Sequence, residues 1–186
     1  MVERIFYFWY MENLKEQIAA RLENAFSNRG FAESSVSELK TAAKVSLRTL
    51  YRYFPSKQSM VIGALDHRHK RYLKFSDEGV PPQGPEAIVH LFRRLSAWME
   101  EFASGGCLAS NAFSAYPDSN DIRDAVTRNR TAMMGIIEER SGRPDLTKEL
   151  YVLFEGLATV WPLLESEASE ATEKAVLKLM SACEDK

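Results

Sequence analysis

Residues 35–57 hold the densest set of side chains able to grip an anionic polymer. Arg48, Thr49, Tyr51 and Arg52 fall within five positions, with Ser35, Tyr53 and Lys57 on either side. On a helix turning roughly 100° per residue, Arg48 and Arg52 lie about 160° and 200° from Leu50, while Phe54 lies only about 40° from it. Leu50 and Phe54 therefore face a core and the arginines face outward. Thr49 and Tyr51 occupy the flanks. A guanidinium can donate two parallel bonds to a guanine edge, and hydroxyls can bond phosphate oxygens. Singly, each residue reads as well as a solvated charge or a half-buried phenol. Their concentration on one short face points to duplex DNA.

Other reactive types are scattered. His67 and His69 are two positions apart, which turns them about 200° from each other on a helix and suits no shared metal. His90 and Cys107 can act as a nucleophilic pair only if folding joins them, and no nucleophile elbow, phosphate loop or zinc signature accompanies them. Neither catalysis nor a cofactor or metal is expected. The two cysteines, Cys107 and Cys183, cannot build a disulfide framework and suit a reducing cytoplasm.

The elements that position the arginines are helical. Leu14, Ile18, Leu22, Ala25 and Phe26 form one stripe that stops at Gly30. Ser35-Val36-Ser37-Glu38 is a capping box that opens a short helix, and Ser46 and Ser56 open two more. A short capped helix, a tight connection at Lys44-Val45-Ser46 and a second short helix describe a helix-turn-helix, whose second member enters the major groove. Further helices follow over 88–102, near 107–116, over 122–137, about 146–164 and about 168–183. No stretch alternates like a strand, so the fold is expected to be all-α: an amino-terminal three-helix DNA-binding domain and a carboxy-terminal helical domain.

Composition and charge agree with that division. The 186 residues are 45% hydrophobic and 27% charged, which excludes a wholly disordered chain. Net charge is −2, yet residues 1–75 carry thirteen Lys/Arg against seven Asp/Glu, and residues 76–186 carry eleven against nineteen. A basic segment joined to an acidic remainder fits a nucleic-acid module attached to a domain with another task. Helix breakers cluster from Gly79 to Pro85. The expected organisation is an extension or arm over 1–10, a helix-turn-helix domain over 11–55, a connecting helix over 56–76, a linker over 77–85 and a second domain over 86–186. Met11 is a candidate start. The apolar run Ile5–Met11 is far too short for a membrane span, which needs about 20 residues.

Gly30-Phe31, Ser35-Val36, Leu39, Ala43-Lys44-Val45-Ser46 and Thr49-Leu50-Tyr51-Arg52-Tyr53-Phe54-Pro55-Ser56-Lys57 together resemble the TetR family of bacterial repressors. The resemblance covers about 50 residues, Leu14 to Ile62. It implies that Leu47, Arg48, Thr49 and Arg52 meet base edges, and that Ser35, Tyr51, Tyr53 and Lys57 hold phosphates. Lys44 stands where the family usually has glycine, and Lys40 where a small or apolar residue is common. Lys44 is thus expected in a left-handed conformation at a cost of roughly 1 kcal/mol.

The resemblance further implies a homodimer on a palindromic operator, released by a small-molecule inducer. The broad apolar faces of the last two helices make Leu150, Phe154, Leu157, Trp161, Val176 and Leu179 candidate interface residues. Trp98, Met99, Phe102, Cys107, Phe113, Tyr116, Met133 and Met134 are candidate pocket residues, although such stripes also serve as plain core. Gly106-Cys107-Leu108 followed by Asn111 resembles a segment of family members that sense electrophiles, so Cys107 reads either as a reactive switch or as a packed thiol. An architectural DNA-binding protein without a ligand, or a helical enzyme using Cys107, are the alternative functions.

Overall fold

The computed structural model describes residues 2–182, with side chains from Asn13 onward. The expected arm over 1–10 has its side chains outside the described residues, as has Cys183. Among the described residues every regular element is helical: α1 (Val2–Arg29), α2 (Val36–Ala43), α3 (Leu47–Tyr53), α4 (Lys57–Ser76), α5 (Pro85–Phe102), α6 (Leu108–Ala115), α7 (Asn120–Ser141), a 3-10 turn (Pro144–Leu146), α8 (Thr147–Leu164) and α9 (Ser166–Ser181). The chain divides into two compact units. One comprises the chain up to Lys70 with Leu108–Val126, the other Arg71–Cys107 with the chain from Thr127 onward.

In the first unit the periodic stripe of α1 becomes core. Ile18, Leu22 and Phe26 are buried against Leu39 of α2, Leu50 of α3 and Met60 of α4, and Leu108, Ala112, Ile122 and Val126 complete the cluster. Phe54 is fixed by a close approach. A Cβ on Gly63 of α4 would lie 2.3 Å from its Cε1, so only glycine lets the ring settle there. Glu23, buried on α1, receives His67 Nδ1 at 2.6 Å and Arg68 Nη1 at 3.6 Å from α4. A buried carboxylate without such partners would be costly, so the three groups join the helices as a set. His67 is thereby committed to structure.

The junction of α2 and α3 is a Schellman turn. Lys44 takes the left-handed position expected of it, with φ 55° and ψ 41°. Its N–H donates to Thr41 O at 3.1 Å and the Val45 N–H reaches Lys40 O at 3.5 Å. Arg21 Nη1 donates to Ala43 O at 2.8 Å, satisfying another carbonyl at this helix end.

The second unit packs α5 against α8 and α9. Leu91, Phe92, Leu95 and Trp98 meet Leu150, Phe154, Leu157, Trp161, Val176 and Met180 in one cluster. These include most of the residues expected at the subunit interface. Leu150, Phe154, Leu157, Trp161 and Val176 are interior residues of a single chain, and Leu179 is partly buried against the same core. Helix α8 is apolar on more than one side, and periodicity alone does not say which stripe faces inward. The outward stripe carries Val152, 68% exposed, and Leu163, 83% exposed.

Two substitutions test the packing of the amino-terminal unit in opposite directions. Lys44→Gly removes the left-handed penalty and is expected to raise stability to urea by about 1 kcal/mol. Gly63→Ala drives a methyl into Phe54 and is expected to lower it by about 1–3 kcal/mol.

Candidate nucleic-acid interface

Helix α3 is capped by Ser46, whose Oγ accepts the Thr49 N–H at 3.0 Å and lies 2.8 Å from Thr49 Oγ1. The next cap is reciprocal: Ser56 Oγ accepts Ser59 N–H at 3.0 Å while Ser59 Oγ accepts Ser56 N–H at 2.9 Å. These caps fix where α3 begins and where α4 takes over. Between them the helical count works as expected, with Leu50 and Phe54 buried and Arg48, Tyr51 and Arg52 exposed. Leu47 is exposed too. Thr49, Tyr53 and Lys57 are half-buried.

Ser35 sits differently from the rest. Its hydroxyl and N–H both donate to Glu38 Oε2 at 2.8 Å, and its Oγ accepts the Glu38 N–H at 3.3 Å. The capping box read in the sequence is complete. Both donors of Ser35 are consequently spent on a carboxylate, an arrangement that disfavours an incoming phosphate. The same two bonds, the backbone one first, hold the Glu38 carboxyl below its ordinary 4.5.

A groove of about 650 Å³ runs along α1 and α2 beside this motif. Arg21, Asn24, Arg29, Ser37, Thr41 and Lys44 are among its lining residues. Sequence reading missed it, because its walls come from two helices whose relative placement only the packed core sets. A smaller hollow of about 340 Å³, lined in part by Lys15, Tyr53, Asp66, His67 and Lys70, lies between α1, α3 and α4.

The expected pocket residues are divided. Trp98, Met99 and Met133 are buried in the core of the second unit, Cys107 packs against that core, and Phe102 stays partly exposed. Met134, half-buried, belongs to the same unit. Phe113 and Tyr116 belong to the first unit, where Arg123 lies over the Phe113 ring at 5.4 Å and Tyr116 meets Phe31 edge-on at 6.3 Å. Cys107 precedes α6 and is half-buried. His90 turns to other company: its Nδ1 is buried without a hydrogen-bond partner, and burial followed by Arg140 and Arg94 lowers its pKa. Among the described residues it makes no hydrogen bond to a thiol, and no group of His, Cys, Asp or Glu could hold a metal ion.

Sequence reading also missed Tyr72 and Thr147. The Tyr72 hydroxyl and Thr147 Oγ1 are buried without a hydrogen-bond partner among the described residues. Burial drives the Tyr72 phenol far above its usual range, so it is a neutral donor at any physiological pH. Trp98 and Phe154 meet its ring edge-on at 5.5 and 5.9 Å. An orphaned hydroxyl in such a place costs about 1–3 kcal/mol.

Comparison with known proteins converges on one family. Residues 18–64 match the family described as bacterial regulatory proteins, tetR family. The HTH-type transcriptional repressor NemR of Escherichia coli (strain K12) is 22% identical over 130 residues, covering 67% of this chain and 65% of NemR. The HTH-type transcriptional regulator EthR of Mycolicibacterium smegmatis is 28% identical over 109 residues, covering 58% of this chain and 49% of EthR. The chain thus spans about half to two thirds of the length of the curated relatives it matches. Among solved structures, SCO4454, a TetR-family transcriptional regulator from Streptomyces coelicolor, superposes with a TM-score of 0.74 at 21% identity, covering 89% of this chain and 90% of that one.

The capping box yields a pH test. Because the folded Glu38 value lies below its ordinary one, its stabilisation is present above about pH 4.5 and lost as pH falls through the folded value. An NMR titration should place Glu38 below 4.5, and Ser35→Ala, which removes the hydroxyl but leaves the backbone donor, should move it part of the way back.

Proposed function

We propose that this chain, whose residues 18–64 match the tetR family of bacterial regulatory proteins, binds operator DNA as a homodimer and represses transcription until a small molecule releases it. The arrangement of α3 carries this reading. Leu50 and Phe54 anchor one side of a short capped helix, and the opposite side presents Arg48 and Arg52 to solvent. Arg48, Arg52, Leu47 and Thr49 are the base-reading candidates, while Tyr51, Tyr53 and Lys57 serve the phosphates. Ser35 is the weakest phosphate candidate, since Glu38 already holds both of its donors. Helix-turn-helix dimers read two half-sites one helical turn apart, which requires a twofold interface.

The outward apolar stripe of α8 supports that interface. Val152 and Leu163 are large, apolar and exposed, and Leu177 on α9 is 47% exposed. Burying such side chains against their symmetry mates is worth roughly 1.5–3 kcal/mol each. The carboxy-terminal unit supplies the small-molecule site in this reading. Its aromatic core around Tyr72 and Trp98 holds an unpartnered donor that a ligand oxygen would satisfy. A ligand preferred by a form whose recognition helices no longer match successive grooves lowers DNA affinity by the same coupling factor, typically about 5–150-fold. Protein and chromosomal DNA then share the cytoplasm.

Duplexes selected from a random pool, followed by titration at fixed salt, test the reading. Wild-type protein is expected to enrich a palindrome, and Arg48→Ala or Arg52→Ala each to weaken it by about 1–3 kcal/mol. Lys57→Ala is expected to reduce the salt slope by about one and to weaken all sequences alike. Steep salt dependence with no enriched sequence would instead favour architectural binding. In sedimentation, Val152→Lys with Leu163→Asp is expected to yield folded monomers, whereas Leu150→Ala is expected to destabilise the fold by about 2–5 kcal/mol.

A further inference from the structure

Two rows of side chains run along the exposed side of α3, each with one helical turn between its members. Arg48 and Arg52 form one row; Leu47 and Tyr51 form the other. Leu47 is 45% exposed although it lies only about 60° around the helix from Leu50, which is wholly buried. An exposed leucine alone means little, since much of any protein surface is apolar. Its company gives it meaning here. Every other exposed residue of α3 carries a hydrogen-bonding group, and the neighbouring Thr49 hydroxyl is already engaged by Ser46 at 2.8 Å. Leu47 is therefore the one wholly aliphatic group on this face.

The major groove offers acceptors, donors and a single apolar feature, the 5-methyl group of thymine. An aliphatic side chain pressed on a guanine or cytosine edge would strip water from polar atoms and return nothing. Pressed on a thymine methyl it gains burial on both partners. We propose that Leu47 is a specificity-determining residue that packs on the 5-methyl group of a thymine in each operator half-site, beside the bases read by the arginine row. The inference rests on α3 being the reading element, as proposed above, and adds the chemical group that Leu47 reads.

The experiment uses the full-length protein and the duplex it selects from a random pool. Each thymine is replaced in turn by deoxyuridine, which removes the methyl and leaves base pairing intact. Wild-type protein is expected to lose about fourfold in affinity at one symmetry-related position per half-site, and about fifteenfold when both are replaced. Leu47→Ala is expected to bind more weakly and to show the same affinity for the thymine and deoxyuridine duplexes. Placing 5-methylcytosine, paired with guanine, at that position should recover part of the wild-type affinity relative to cytosine. If no thymine methyl matters to wild-type protein, or if the discrimination persists in Leu47→Ala, the assignment of Leu47 is wrong while the selected palindrome leaves the operator reading intact. If no duplex is selected at all, the operator reading fails and takes this assignment with it. Unchanged helical circular dichroism in Leu47→Ala separates lost contact from lost fold.

Discussion

The seating of Leu50 and Phe54 in the amino-terminal core is the constraint on which the surface of α3 depends. A helix of seven residues has little stability of its own, because nucleation is costly and few backbone bonds repay it. It holds its place through those two anchors, through the Ser46 cap and through the glycine of α4 that accepts the Phe54 ring. Once that side is fixed, the 3.6-residue repeat leaves Arg48 and Arg52 no direction but outward. The same packing determines both the burial of Leu50 and the exposure of the arginines.

Electrostatics divides along similar lines. The amino-terminal segment holds the positive surplus, yet its buried charges are balanced locally by Glu23 with His67 and Arg68. What remains for a partner is the exposed fraction on α3 and along the groove of α1 and α2. Lys44 illustrates the compromise. A glycine would satisfy the backbone better, while lysine accepts the left-handed conformation and adds a cation to the groove wall. In the second unit Arg140 instead turns inward, donating to Ser76 O at 3.0 Å and to Asp77 Oδ1 at 2.5 Å.

Helix α8 shows how one amphipathic reading can hide two surfaces. Its interior stripe, Leu150, Phe154, Leu157 and Trp161, completes the core with α5 and α9. Its exterior stripe includes Val152 and Leu163, equally apolar in type and left in water by the single chain. Large side chains inside follow from close packing, since the aromatic rings of α5 need partners of matching volume. An apolar exterior has no such explanation within one chain.

The amino-acid sequence by itself determined the helical periods, the caps at Ser35, Ser46 and Ser56, the left-handed turn at Lys44 and the outward direction of Arg48 and Arg52. These are local properties, set by hydrogen bonds and side-chain spacing within a few residues. Tertiary structure alone decided that Leu150 and its neighbours are interior, that Phe113 and Tyr116 pack with the amino-terminal unit, and that the Tyr72 hydroxyl is buried without a hydrogen-bond partner among the described residues. Each of those depends on which of several apolar stripes meets which other helix. That choice is made by volume and shape across residues distant in the chain, and a one-dimensional pattern of hydrophobicity does not encode it.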